Sequence, residues 1–332
     1  HPLTVAPEFP GQKARAIKVA WEGSFLDLGS LSHVNRELSK PLAAHHNIQL
    51  TCVGKNSLPE EPAAMPALRE MARRLHVQPN KQTHVTVRHA WPPDWQAPAS
   101  GLWVLIQPWE FGVLPTEWVR HLGRVNEVWV PSEYVRRVYV ESGVEPAKVK
   151  VVPNGIDPAV FRPDAVPMKL ATRKRFKFLF VGGTIHRKGP DLLLQAYLDR
   201  FRAADDVCLV IKDFSGKSVY AGQTFEAQIK TAQAKPDAPE ILYLNHELPP
   251  DELPGVYTAC DCLVHPYRGE GFGLPVLESM ACELPVVVKG GGAADDFVPR
   301  LAASDETPVG QLVAEDVIRE PMHSLIPPVG VH

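Results

Sequence analysis

Short apolar runs recur along the chain, each followed by a polar or glycine-bearing turn and then by a stretch with helical spacing. Ala16–Trp21, Ile48–Val53, His84–Arg88, Trp103–Gln107, Glu127–Val130 and Lys148–Val152 are such runs in the first half. Phe176–Val181, Val207–Ile211, Glu240–Leu244, Cys262–Val264 and Leu284–Val288 follow in the second. Most are continuous rather than alternating, as expected of strands covered on both faces. Between them, Leu31, Val34, Leu38 and Leu42 recur at helical spacing, with Ser30 or Ser32 able to cap and Pro41 expected to kink or end the helix. A helical stretch is expected around Met65–Leu75. Ser132 reads as an N-cap and Gly143 as the left-handed residue that closes the same helix. Pro190 opens another, with Leu192, Leu193, Ala196 and Tyr197 inward, and Asp251–Ala259 a further one. Strand alternating with helix predicts an α/β chain with parallel sheets.

The polar stretch Asp164–Lys174 interrupts this pattern. It predicts two domains, residues 1–154 and 155–332, joined by a linker over about 153–174. Residues 1–14 read as a polar tail. The chain starts at His1, which is expected of a fragment or a processed product, and the second domain reads as incomplete. Gly23 and Gly29 follow the first strand, as in the opening of a Rossmann-like domain, but they do not form the GxGxxG fingerprint of nicotinamide enzymes.

Composition narrows the class. Of 332 residues, 45% are hydrophobic and 22% charged, as in globular proteins, and the net charge of −3 gives no footprint for nucleic acid. The 33 prolines form no tract and are expected to punctuate strand ends and loops. The five cysteines lie mostly inside apolar runs, so reduced thiols and a cytoplasmic setting are expected. Cys260 and Cys262 lack a second ligand pair at zinc spacing, and no metal site is expected. No apolar run reaches the roughly eighteen residues that span a bilayer, and no signal peptide is evident.

The candidate chemistry centres on residues 265–288. The sequence predicts a strand end, a turn carrying Gly269, Gly271 and Gly273, and a helix with Pro275 at its first position. Val276, Leu277, Met280 and Ala281 form its apolar stripe, with Glu270 on the loop and Glu278 in the first helical turn. A helix N-terminus attracts phosphate through free N–H groups and the helix dipole. Carboxylates beside a phosphate are repelled by it unless they hold something else. Two glutamates there fit the hydroxyls on either side of a diphosphate, and so a nucleotide-sugar. In the first half, Trp rings and acids follow strand ends in Arg88–Trp95 and Pro108–Gly112, the arrangement of sugar sites, so His89 and Glu110 are acceptor-side candidates.

Glu270 and Glu278, embedded in Glu-Gly-Phe-Gly-Leu-Pro-Val-Leu-Glu, resemble the E-x7-E signature of retaining glycosyltransferases of family four. Pro153–Asp157 followed by Phe161-Arg-Pro163 resembles that family's passage between domains. The resemblance covers about residues 16–297. It implies the GT-B fold, two Rossmann-like parallel-sheet domains facing across a cleft, with an N-terminal acceptor-side domain and a C-terminal donor domain. It implies that Glu270 and Lys188 are the catalytic residues. Arg187, Lys188, Glu270, Gly271, Phe272, Gly273, Leu274 and Glu278 would bind the donor. Glu270 would hold the sugar and Glu278 the ribose. Gly29, Ser32, His33 and Arg136 join His89 and Glu110 on the acceptor side. Gly183 stands where many members have an arginine, which leaves the phosphates to Lys188 and Arg187. The implied reaction is metal-independent and cofactor-free, with a nucleoside diphosphate sugar as donor substrate. The acceptor would be a glycan, a lipid-linked molecule or a small hydroxyl compound. Peripheral membrane contact is open to such an enzyme, although no basic amphipathic helix is evident. Two other readings remain: a non-catalytic nucleotide-sugar-binding protein, and a glycoside hydrolase using the two glutamates as acid and nucleophile.

Overall fold

The computed structural model describes residues 16–26, 29–54, 82–214, 222–246, 248–249 and 251–298. The helix expected around Met65–Leu75 lies outside the described residues. The chain divides into two units between Asn154 and Gly155.

In the first unit β1 (Ile17–Gly23), β2 (Ile48–Val53), β3 (Val85–His89), β4 (Leu102–Ile106), β5 (Glu127–Val130) and β6 (Val149–Val151) form one sheet in the order β2-β1-β3-β4-β5-β6. Every pairing is parallel. Helices α1 (Ser30–Ala44), α2 (Thr116–Leu122) and α3 (Glu133–Glu141) connect the strands. Alternate strand residues feed two apolar layers. Val104 and Ile106 join Trp21 and Val87 on one face, while Trp103 and Leu105 join Val128 and Tyr139 on the other.

The second unit repeats the plan. β7 (Phe176–Val181), β8 (Val207–Lys212), β9 (Glu240–Leu244), β10 (Cys262–His265) and β11 (Val286–Val288) form a parallel sheet in the order β11-β10-β7-β8-β9. Its helices are α4 (Pro190–Arg200), α5 (Glu226–Gln233), α6 (Leu253–Thr258) and α7 (Leu274–Ala281). Leu179, Val181, Cys208 and Val210 pack on one face, and Phe180, Leu209 and Ile211 on the other. This two-residue alternation is why these strands read as continuous apolar runs.

Several expectations are corrected. Ser30 and Ser32 do not cap α1; Gly29 is the N-cap and makes no side-chain cap bond. Pro41 does not end α1, which continues to Ala44, because Leu38 and Leu42 pack against the sheet on either side of it. In α4 the inward residues are Leu193, Leu194 and Tyr197, and Ala196 is exposed. The strand expected over Leu284–Val288 is only Val286–Val288 and half-buried, since it lies at the sheet edge behind Pro285. Leu274, not Pro275, is the first residue of α7, and Glu278 therefore sits in its second turn. Ser132 does cap α3, its side chain accepting from Val135 N at 3.2 Å, and Gly143 adopts a φ of 102°. All five cysteines are buried and free.

Candidate functional site

In the second unit β7 has β8 on one side and β10 on the other, so the winding of the sheet reverses between β7 and β10. Open α/β sheets bind ligands outside the C-terminal strand ends at such a reversal. The loop after β7 runs from Gly182 through a short 3₁₀ turn, His186–Lys188, to Gly189 and α4. The loop after β10 runs from Pro266 to Gly273 and α7.

These two loops are bound to each other by backbone and side chain. Arg268 N donates to Arg187 O at 2.8 Å, and Arg187 Nη1 donates to Gly269 O at 2.8 Å. The Arg268 guanidinium grips Asp191 with two bonds of 2.7 Å and reaches His186 O at 2.9 Å. At Gly189, with φ 72°, a Cβ would stand 2.2 Å from Pro266 O. Only glycine permits that approach and that backbone conformation.

Within this frame Lys188 Nζ and a Glu270 carboxylate oxygen form a buried ion pair. Neutral His265, at the end of β10 and fully buried, places Nε2 3.5 Å from the same carboxylate oxygen. Burial alone would favour the protonated acid at Glu270, but Lys188, the His265 contact and Arg187 together hold its carboxyl well below the usual range. Burial pushes the His265 imidazole down, so it stays neutral. Gly271 N points to Glu270 Oε1 at 3.2 Å. Gly273, φ 98°, turns the chain into α7. Phe272 is buried against Phe297, ring centroids 5.1 Å apart, and Leu274 is half-buried.

Glu278 is buried on α7 and accepts from the Tyr257 hydroxyl at 2.5 Å. Burial pushes its carboxyl up to about 7, against the pull of that hydrogen bond. The two glutamates thus lie in opposite electrostatic settings. Glu270 is an ionised acceptor between cations, and Glu278 a carboxyl that ionises near neutrality.

Behind the β7 loop, Asp213 at the end of β8 accepts from Thr184 Oγ1 and from the Tyr243 hydroxyl, each at 2.6 Å. Buried Lys212 donates to His246 O at 2.5 Å and stands 4.4 Å over the Phe214 ring. Sequence reasoning assigned no role to His265, Tyr257, Arg268, Asp191 or Asp213. Polar residues at or just past apolar strand ends, as with His265 and Asp213, are the signal that marks two of them.

The acceptor-side candidates lie in the first unit and do not form one cluster. His89 ends β3 and is buried, its Nδ1 2.9 Å from Asn35 Oδ1. Ser32 is buried on α1, one turn before Asn35. Gly29 is exposed at the α1 N-cap, its carbonyl accepting from His33 N at 3.0 Å. The His33 imidazole is lowered, first by burial, then by Arg36 and Lys40, against the opposing pull of Glu37. Glu110 is half-buried, and its charge adds to burial in raising the Tyr139 phenol. Arg136 stands apart, 3.8 Å from Glu133, beside Pro146, Ala147 and Lys150. Trp118 gathers Trp91, Trp95 and Trp109 in edge contacts at 4.9 to 5.9 Å. Among the described residues no three His, Cys, Asp or Glu side chains form a group able to hold a metal, and no helix is long and apolar enough to cross a membrane.

Comparison with known proteins covers both units. Residues 164–300 match the family described as glycosyl transferases group 1, and residues 61–160 match glycosyltransferase family 4. A D-inositol 3-phosphate glycosyltransferase of Segniliparus rotundus is 32% identical over 190 residues, covering 53% of this chain and 41% of that protein. The lipopolysaccharide core biosynthesis mannosyltransferase LpsB of Rhizobium meliloti is 32% identical over 176 residues, covering 51% and 47%. The chain therefore spans less than half the length of these relatives. Among solved structures, the Anabaena protein Alr3699/HepE in complex with UDP and glucose superposes with a TM-score of 0.57 at 15% identity, over 85% of this chain and 83% of that one. The catalytic domain of Arabidopsis thaliana starch synthase IV, bound to ADP and acarbose, gives 0.60 at 13% identity, over 89% and 87%. At these identities the likeness is one of fold.

Proposed function

Since the chain belongs to the family-four glycosyltransferases, with their GT-B fold, we propose that it transfers a sugar from a nucleoside diphosphate sugar to a hydroxyl acceptor, with retention and without a metal ion. One observation carries this reading: Lys188 and Glu270 are held together at the winding reversal of the second sheet, beside the backbone N–H of Gly271.

Without a ligand the two charges satisfy each other. A diphosphate offers Lys188 a stronger partner, with Arg187 beside it and the N-terminal N–H groups of α7 completing the anion site. Glu270, released from Lys188, accepts hydroxyl hydrogens of the donor sugar. Its lowered pKa suits an acceptor that remains ionised. Glu278 accepts from the ribose hydroxyls. As the glycosidic bond breaks, negative charge grows on the leaving diphosphate, and fixed cations there stabilise it. The leaving phosphate takes the acceptor hydroxyl proton. The acceptor side falls to the first unit, with His89 its leading residue. The UDP-glucose complex known for the Anabaena neighbour is consistent with such a donor.

One observation favours a second reading. A lowered Glu270 and a raised Glu278 on the same loop and helix match the division of labour of acid–nucleophile pairs in glycoside hydrolases. Calorimetric titration with UDP, GDP, ADP and dTDP and their common sugars separates the two. Binding of one nucleotide, undiminished by chelator and weakened in Glu270→Ala and Glu278→Ala, supports the transferase. Glycoside cleavage with no nucleotide affinity overturns it. Donor binding without turnover against a broad acceptor panel leaves a binding protein instead.

A further inference from the structure

The end of β3 carries a chain of three buried side chains whose hydrogen atoms can be located by elimination. The Trp21 indole N–H is a donor only, and it lies 2.8 Å from Asn35 Oδ1. That contact fixes which way the Asn35 amide points. Its Nδ2 then donates to Ser24 O at 2.8 Å, as the orientation requires. Asn35 Oδ1 also faces His89 Nδ1 at 2.9 Å, and an amide oxygen only accepts. His89 must therefore carry its proton on Nδ1, which leaves a lone pair on Nε2. Burial pushes this imidazole down to about 4, so the neutral tautomer persists across physiological pH.

Among the described residues, His89 Nε2 has no hydrogen-bond partner, and His89 is only 2% exposed. On the neighbouring strand the next residue after β4, Gln107, is fully buried with both amide atoms unpartnered. Its backbone carbonyl is taken by the Tyr139 hydroxyl at 2.6 Å. A buried polar group without a partner costs about 1–3 kcal/mol and asks for an explanation. By the strand register the two belong to opposite faces, His89 with Val87 and Ile106 and Gln107 with Leu105; His89 ends β3 next to the point between β1 and β3 where the first sheet reverses its winding. The approach is close: a Cβ on Gly23 would meet His89 O at 2.4 Å and Asn35 Nδ2 at 2.6 Å.

We propose that the end of β3 forms a recognition site for a neutral hydroxyl group of the acceptor, in which His89 Nε2 accepts the hydroxyl hydrogen, and Trp21 and Asn35 are positioning residues that set the imidazole tautomer. The site discriminates by chemistry. A carboxylate or phosphate oxygen would set lone pair against lone pair at Nε2, whereas a hydroxyl brings the hydrogen the site lacks. The ligand's identity as an acceptor rests on the transferase reading, but the tautomer and the hydroxyl preference do not.

The test is a long-range ¹⁵N–¹H spectrum of the whole chain labelled in histidine, with His89 identified by its loss in His89→Gln. The expected result is a pyridine-type Nε2 whose resonance moves upfield on titration with methyl α-D-glucopyranoside and stays in place with acetate, a carboxylate that carries no hydroxyl. In Asn35→Ser the amide oxygen that fixes the proton on Nδ1 is replaced by a hydroxyl that can donate or accept, and signals of both tautomers are expected; Trp21→Phe, which leaves Asn35 oriented by Ser24 O, serves as the milder variant where that one does not fold. A protonated Nε2 in the wild-type chain overturns the proposal. So does a spectrum unmoved by the neutral glycoside, or an equal response to acetate. Nucleotide binding is measured at the second unit, so failure of the transferase reading shows separately.

Discussion

Lys188 and Glu270 stand 82 positions apart in the chain and meet as an ion pair, with side chains 14% and 10% exposed. Removing one partner leaves the other buried and uncompensated, which costs roughly 3 kcal/mol or more. Lys188→Ala and Glu270→Ala should each lower the unfolding midpoint in urea, while the double variant should lose less than their sum. An additive result in the double-mutant cycle would mean that the pair is not coupled in solution.

Glu278 links stability to pH in a definite direction. Its carboxyl is raised from 4.5 to about 7, so the folded chain holds that proton more tightly than the unfolded one. The associated stability is present below about 4.5 and is lost as pH rises through 7, a difference of roughly 3 kcal/mol at most. Glu278→Gln keeps an acceptor for Tyr257 and should flatten the stability profile between those values. A variant with the same slope as wild type would place the titration elsewhere. Donor affinity is expected to weaken as pH falls below 7, because a protonated Glu278 accepts hydroxyl hydrogens less well.

The Arg268 fork on Asp191 and His186 O predicts a split between shape and charge. Arg268→Lys preserves the charge but not the two parallel bonds of 2.7 Å. With both side chains partly exposed, the loss in stability should be about 1 kcal/mol or less. Donor KM should rise nonetheless, because the 3₁₀ turn carrying Lys188 loses its brace. Unchanged KM in steady-state assays would show that the turn holds its place without Arg268.

Two glycines of one loop make a controlled comparison. Gly189→Ala meets both a left-handed φ of 72° and the Pro266 carbonyl at 2.2 Å, and should cost about 3 kcal/mol or more. Gly182→Ala has a φ of 143° but nothing nearer than 4.0 Å, so strain of about 1–3 kcal/mol is its only penalty. Thermal unfolding of the two variants should rank them in that order. The reverse order would mean that the Gly189–Pro266 contact relaxes freely.

Strands were the most legible part of the chain. β2, β5, β7 and β9 have the limits their apolar runs imply, because each run is bounded by turn chemistry. α2 and α5 left no comparable trace: Thr116–Leu122 and Glu226–Gln233 mix charge and apolar residues over two turns or so, too short for a period to declare itself. In the candidate site, glycine spacing and the charges of Arg187, Lys188, Glu270 and Glu278 marked the two loops that the structure joins. The contacts that tune those charges were not visible. His265, Tyr257 and Asp191 reach their partners only through sheet order and helix packing, and chain position carries no record of either. The Trp21–Asn35–His89 chain was hidden for the same reason, since it joins a strand, a helix and a second strand.

Backbone against backbone at Gly189 and Pro266 leaves no slack between the two loops that carry Lys188 and Glu270. Neither loop has room to lengthen by a residue near that seam without parting the other from its charge. Diversification of this scaffold toward new donors is thereby channelled into side-chain replacement on loops of unchanged length, or into segments that do not touch the seam. A lineage that altered the length of either loop would have to rebuild both at once.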